Sequence, residues 1–135
     1  MPRKIFINFV VADLERSTAF YSGLGFTFNP MFTSAEAACM VINDDAFFMV
    51  HTPGSMQRFT SKPPVDPRTH LGAIFAFSAA SRAEVDAIAD RAAATGGATN
   101  GPPQDHGWMY LRAFHDPDGH HWEVCWMDPA GIPAG

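Results

Sequence analysis

The feature that most constrains the fold of this chain is a pattern that occurs twice within its 135 residues. Each copy begins with a run of β-branched and aromatic residues, continues into an amphipathic helix and ends with three short strand-like stretches. The copies are expected at residues 1–53 and 70–128, with the Pro- and Ser-rich segment 54–69 as their linker. The sequence therefore predicts one α+β domain of two βαβββ modules, each a curved mixed sheet with a helix packed on its outer face.

The expected elements follow from local patterns in each copy. In the first module, a helix capped by Asp13 and stopped by Gly25 follows the first strand. The strands of this module are predicted at residues 4–11, 26–33, 36–43 and 46–52. In the second module, Ser81 caps the helix and Gly96 follows it. Its strands are predicted at residues 71–79, 98–100, 108–114 and 121–127.

Composition excludes several classes of partner. The formal net charge is −5, and the 9 basic residues are scattered, so neither a nucleic-acid surface nor a membrane-binding surface is expected. No apolar stretch approaches the length of a membrane span, and the N-terminal apolar run lacks a signal-peptide cleavage site. Cys39 and Cys125 lie inside apolar runs and are interpreted as buried thiols. We expect a cytoplasmic protein.

Two motifs at opposite ends of the chain point to a family. The first is VADLERSTAFYSGLGF, and the second is HDPDGHHWEVCW. Together, with the repeat between them, they resemble the vicinal oxygen chelate superfamily, the fold of glyoxalase I, bleomycin-resistance proteins and extradiol dioxygenases. Both motifs also have a purely structural explanation, since Asp13 caps a helix and the DPDG segment forms a turn. They therefore identify a fold and prove no chemistry.

The resemblance also implies where a metal site would lie. Enzymes of this superfamily hold a divalent metal with side chains from four strands, and the matching positions here are Phe6, Met49, Ile74 and Glu123. Of these four, Glu123 alone can coordinate such an ion, and one carboxylate does not retain a divalent metal against water. The usual metal site is therefore expected to be lost, and no cofactor is expected.

A second interpretation relocates the ligands. Asn8 and His51 lie two residues from expected ligand positions, so strand alternation places them on the same face. His51 and Glu123 could then form a two-His-one-carboxylate site with one further histidine. The histidines considered for that place are His70, His106 and His115. For His115, His120 and His121, however, hydrogen bonding in a turn or at the surface is the simpler interpretation.

The period-two alternation of strands predicts the residues that line a ligand cavity. The expected cavity residues are Phe6, Asn8, Met49, His51, Ile74, Ser78, Trp108, Tyr110, Arg112 and Glu123. In the stretch 108–114 the large amphipathic side chains are expected to face the cavity. Arg112 could then pair with Glu123 in a structural salt bridge or bind a ligand carboxylate. Glu123 is a weak candidate for a general base.

Three functions are compatible with these residues. The first is metal-free binding of a small hydrophobic or aromatic molecule, as the resemblance to bleomycin-resistance proteins implies. The second is a metal-dependent lyase, similar to lactoylglutathione lyase, or a dioxygenase with relocated ligands. The third is a non-catalytic interaction protein, because this scaffold hosts unrelated activities. The first is favoured, and the protein is expected to form a homodimer.

Overall fold

The computed structural model describes residues 3–131, which form two compact units. The first unit extends to Val65 and the second begins at Asp66. The division falls inside segment 54–69, which was expected to link the two modules. Each unit contains its own sheet and its own long helix.

The first unit contains one four-stranded sheet and two helices. Its elements are β1 (Ile5–Val10), α1 (Leu14–Gly23), β2 (Thr27–Asn29), a 3₁₀ turn (Pro30–Phe32), β3 (Ala37–Val41), β4 (Ala46–His51) and α2 (Pro53–Met56). The strand order is β1-β4-β3-β2. β1 runs parallel to β4, whereas the other neighbouring strands are antiparallel. This is the βαβββ arrangement that the sequence pattern predicts.

Helix α1 packs on one face of this sheet. Asp13 accepts a hydrogen bond from the Arg16 amide at 3.0 Å, which caps the helix. The ring of Phe9 lies edge-on to Tyr21 of α1 and to Phe48 of β4, and all three are buried. Side chains alternate along each strand, so the residues between them point to the opposite face. We call this the open face of the first sheet, and it carries Phe6, Asn8, Phe47, Met49 and His51.

The second unit repeats this order of elements. They are β5 (Ile74–Ser78), α3 (Arg82–Ala94), β6 (Ala98–Thr99), β7 (Gln104–Asp105), β8 (Met109–His115) and β9 (His121–Met127). The strand order is β5-β9-β8-β6, and β7 also pairs with β8. β5 is parallel to β9, as β1 is to β4 in the first unit.

Helix α3 packs on one face of the second sheet. Trp122 and Phe114 are fully buried, and their rings stack at 6.3 Å. Val85 and Ala89 of α3 are also fully buried. The opposite side is the open face of the second sheet, and it carries Ile74, Ala76, Ser78, Leu111, Ala113, His115, His121, Glu123 and Cys125.

Local chemistry explains where the elements differ from expectation. The strand expected over 26–33 ends at Asn29, because Pro30 has no amide hydrogen to donate to a strand ladder. Instead Asn29 accepts a hydrogen bond from the Met31 amide and caps a 3₁₀ turn. A short helix, α2, also crosses the expected boundary between the first module and the linker, and its first residue, Pro53, is favoured at that position.

Candidate functional site

Two aromatic rings dominate the open face of the first sheet. Phe6 of β1 stacks on Phe47 of β4, with ring centroids 5.0 Å apart and planes 13° apart. Phe6 remains 53% exposed. Phe47 is half-buried, so the exposed Phe6 ring offers the flat apolar surface on which a further ring can pack.

A hydrogen-bonded chain of three side chains lies at the end of the same face. His51 is buried, its Nε2 lies 2.7 Å from Asn8 Oδ1, and its Nδ1 lies 2.8 Å from Ser55 Oγ. Because an amide oxygen only accepts, Nε2 carries the proton, and the Ser55 hydroxyl donates to Nδ1. Burial lowers the pKa of His51, which favours this neutral form. These two hydrogen bonds of His51 hold α2 against the end of β4.

The open face of the second sheet has an acidic centre between small side chains. Glu123 of β9 is paired across the sheet with Ala76 on one side and with Ala113 on the other. Cross-strand partners are the nearest neighbours on a sheet face, so the carboxylate has little side-chain bulk beside it. The Glu123 side chain is 25% exposed.

Two histidines form the next row of this face. His121 Nε2 donates to Glu123 Oε2 at 3.3 Å, and the Asn100 amide lies 3.3 Å from His121 Nδ1. The His115 ring lies 5.6 Å from that of His121, directly across the strand pair. Burial, and then the charge of His121, lower the pKa of His115. The His115 ring is therefore favoured in its neutral form, which can accept a hydrogen bond.

The expectation that Tyr110 and Arg112 share a face with Glu123 is wrong. Arg112 pairs across the strands with Val124 of the buried core, and its Nη1 donates to Asp86 at 3.2 Å and to Asp90 at 2.8 Å. The Tyr110 hydroxyl also donates to Asp86. The cause is helix α3, whose acidic side chains one turn apart attract the arginine to the helical side. The hydrogen bonds to Asp90 and Asp86 raise the pKa of Arg112, although burial opposes its charged form.

The other expected cavity residues divide between the two units. Phe6, Asn8, Met49 and His51 lie on the open face of the first sheet. Ile74, Ser78 and Glu123 lie on the open face of the second sheet. Trp108 precedes β8, and its carbonyl accepts a hydrogen bond from the Asp128 amide at 2.7 Å.

Sequence reasoning missed part of both faces. It left out Phe47. For His115 and His121 it preferred hydrogen bonding in a turn or at the surface, although it also considered His115 as a relocated metal ligand. A signal for the histidines was present, since they flank residues 116–120, the connection of the hairpin, and so face each other across it. Phe47 follows from its parallel register with Phe6, which no short motif reveals.

The side chains at the four matching positions do not fit the divalent metal site of the superfamily that the chain resembles. Phe6, Met49 and Ile74 supply no suitable ligand at three of the four matching positions. Within residues 3–131, no group of three or more His, Cys, Asp or Glu side chains is placed to hold a metal ion.

Comparison with known families identifies the architecture. The model of the Glyoxalase/Bleomycin resistance protein/Dioxygenase superfamily matches residues 5–124. The chain belongs to this superfamily. The match spans both units of this glyoxalase-family protein, which is consistent with the vicinal oxygen chelate fold.

Solved structures support the same fold. A glyoxalase-related enzyme from Fulvimarina pelagi is 25% identical with a TM-score of 0.77, covering 100% of this chain and 94% of that one. A hypothetical protein from S. aureus is 24% identical with the same TM-score of 0.77, at coverages of 93% and 94%. Lactoylglutathione lyase from Agrobacterium tumefaciens is 21% identical with a TM-score of 0.68, at coverages of 96% and 96%. No curated protein matches the chain. Within residues 3–131, no helix has the length and apolar character needed to cross a membrane.

Proposed function

We propose that this glyoxalase-family protein binds a small hydrophobic or aromatic molecule without the divalent metal of the family's enzymes. The observation that carries the proposal is the stack of the exposed Phe6 ring on the half-buried Phe47 ring. The resemblance to the superfamily implies that its metal-dependent enzymes have a metal ligand at the position of Phe6. Here an aromatic ring at that position supplies apolar contact area in place of a coordinating atom.

The groups around the stack are mostly uncharged and favour a flat apolar ligand, although the Lys4 ammonium lies 5.7 Å from the centroid of the Phe47 ring. Met49 lies two residues after Phe47 on the same face of β4 and adds a flexible thioether surface. Asn8 is exposed and gives the face a neutral polar group, although its Oδ1 is engaged by His51. Apolar walls with few polar groups are typical of small-molecule sites.

The proposal is tested by NMR titration of metal-free protein, kept in chelator, with toluene as the probe. We expect saturable shifts of the Phe6 and Phe47 ring signals. In the variant Phe6→Ala the affinity should fall about tenfold, which corresponds to about 1.4 kcal/mol of lost contact. Phe32→Ala is the matched control, because Phe32 is exposed but lies in the 3₁₀ turn. Equal affinity of the Phe6→Ala variant and the wild type would contradict the proposal.

The metal-free part of the proposal has its own test. The structure from Agrobacterium tumefaciens carries the name lactoylglutathione lyase, and that reaction is expected to be absent here. The assay uses the hemithioacetal of methylglyoxal and glutathione, with added Ni²⁺ or Zn²⁺. Turnover above background, lost on chelation and in Glu123→Gln, would overturn the metal-free proposal.

A further inference from the structure

A second candidate site lies on the open face of the second sheet, and its residues differ from those of the Phe6–Phe47 stack. Its centre is Glu123, with Ala76 and Ala113 beside it on the two neighbouring strands. Ile74 lies in the next row, across from His121, and is 49% exposed. Because Ala76 and Ala113 are small, a ligand group has room to approach the Glu123 carboxylate. Ile74 adds an apolar surface in the next row.

The charges on this face are unbalanced. The strands β5, β8 and β9 place no Lys or Arg on the open face of the second sheet within the described residues. The titratable groups on this face are Glu123, His115, His121 and Cys125. Burial and the charge of Glu123 raise the pKa of the Cys125 thiol, which keeps that group neutral. At pH 8, where imidazole is ordinarily neutral, the carboxylate gives the face a net negative charge.

The hydrogen-bonding groups of Glu123 are also only partly engaged. Oε2 accepts from His121, whereas Oε1 has no hydrogen-bond partner among the described residues. The amide of Asn100 and the carboxylate together fix the orientation of the His121 ring. A ligand that donates hydrogen bonds to Oε1 would thus meet a preorganised acceptor.

We propose that Glu123 is the anchor for a protonated amine carried by a small apolar molecule. The ammonium group donates to Glu123 Oε1, and the apolar part packs over Ile74 and Ala76. A charge-assisted hydrogen bond of this kind is about twice as strong as a neutral one. The same face disfavours carboxylates, because within residues 3–131 no Lys or Arg of β5, β8 or β9 lies on it to offset the charge of Glu123.

The test uses four probes that share one ring and differ in the attached group: benzylamine, benzyl alcohol, benzoate and toluene. Titrations are followed at pH 8, in chelator, through the imidazole signals of His115 and His121. We expect benzylamine to bind at least fivefold more tightly than benzyl alcohol, and benzoate most weakly.

Two variants and a control test whether the preference for benzylamine depends on Glu123 and its surroundings. Glu123→Gln keeps the shape and should bind benzylamine no better than benzyl alcohol. Ala76→Leu, at an exposed position, should weaken benzylamine by filling the space beside the carboxylate. Glu84→Gln, in the exposed first turn of α3, should retain the wild-type preference.

The proposal is overturned if Glu123→Gln keeps the preference for benzylamine, if the wild type shows none, or if benzylamine leaves the imidazole signals unchanged. These results leave the first site untouched, because toluene binding there is read from Phe6 and Phe47. Loss of toluene binding at Phe6, with the benzylamine preference intact, would instead contradict only the proposed function.

Discussion

At the scale of single residues, His51 links the chemistry of a buried group to the stability of the fold. The pKa of His51 is below the ordinary histidine value of 6.5, because burial penalises the charged ring. The unfolded chain therefore binds a proton more readily than the folded chain. The free energy of unfolding should be unaffected by this group above pH 6.5 and should fall as the pH drops below it.

The variant His51→Gln tests this expectation, because glutamine can still bond to both Asn8 and Ser55. Below pH 6.5, the wild type should lose stability more steeply than the variant, by up to about 1.4 kcal/mol per pH unit. Urea unfolding at intervals between pH 7.5 and 5.5 measures both slopes. His70→Gln, at an exposed site, should keep the wild-type slope. Identical slopes for His51→Gln and the wild type would show that His51 does not contribute to the pH dependence of the free energy of unfolding.

The variant Arg112→Met tests which face of the second sheet carries the Arg112 side chain. Its side chain is 15% exposed and bonded to Asp86 and Asp90. Arg112→Met should reduce stability by about 1 to 2 kcal/mol, since it removes a partly buried charged partner. It should leave the affinity for toluene and benzylamine unchanged, because the side chain faces α3. Arg58→Met, which breaks an exposed pair with Glu36, should cost less than about 0.5 kcal/mol. A large loss of ligand affinity in Arg112→Met would contradict the assigned face.

The residue scale also shows where sequence reasoning succeeds and where it stops. Alternation correctly groups Phe6 with Asn8 along one strand, because period two is a property of the backbone. It cannot tell which face of an isolated strand meets a helix. Arg112 is the example: its side was decided by Asp86 and Asp90, acids on another element that a strand pattern does not contain.

At the scale of elements, the turn between β8 and β9 depends on Gly119. Its φ is +100°, a conformation that side chains rarely adopt, and an added Cβ would lie 3.1 Å from the carbonyl oxygen of Pro67. Gly25, after α1, has a similar φ of +103° but open space around it. Gly25→Ala should therefore cost about 1 to 2 kcal/mol from backbone strain alone. Gly119→Ala should cost more, because strain and crowding add. Chemical denaturation of both variants gives the difference, and equal losses would rule out crowding.

The order of the elements was predictable because each one is specified locally. Asp13 and Ser81 cap the two long helices, and glycines with positive φ follow both. The short pieces were harder to predict. The two-residue strand β7 exists through its pairing with β8, a tertiary interaction that its own polar sequence does not encode.

At the scale of the whole molecule, both units leave apolar surface uncovered. Phe6 and Ile74 are each about half exposed on their open faces, and β1 and β5 are edge strands of their sheets. Exposed apolar faces and edges favour association unless something covers them. A bound ligand would cover part of such a face, and a second copy of the chain would cover the rest.

We therefore expect a homodimer at micromolar concentration, since twofold symmetry is the commonest way for identical chains to cover such surfaces. Light scattering should give about twice the chain mass of 14.7 kDa. Ile74→Lys should shift the protein towards monomer, because it places a charge on the open face of the second sheet. Met31→Lys should not, although Met31 is more exposed, because it lies in the 3₁₀ turn outside both faces. A wild type that stays monomeric across a tenfold dilution series would leave ligand binding on the open faces as the remaining explanation for their apolar character.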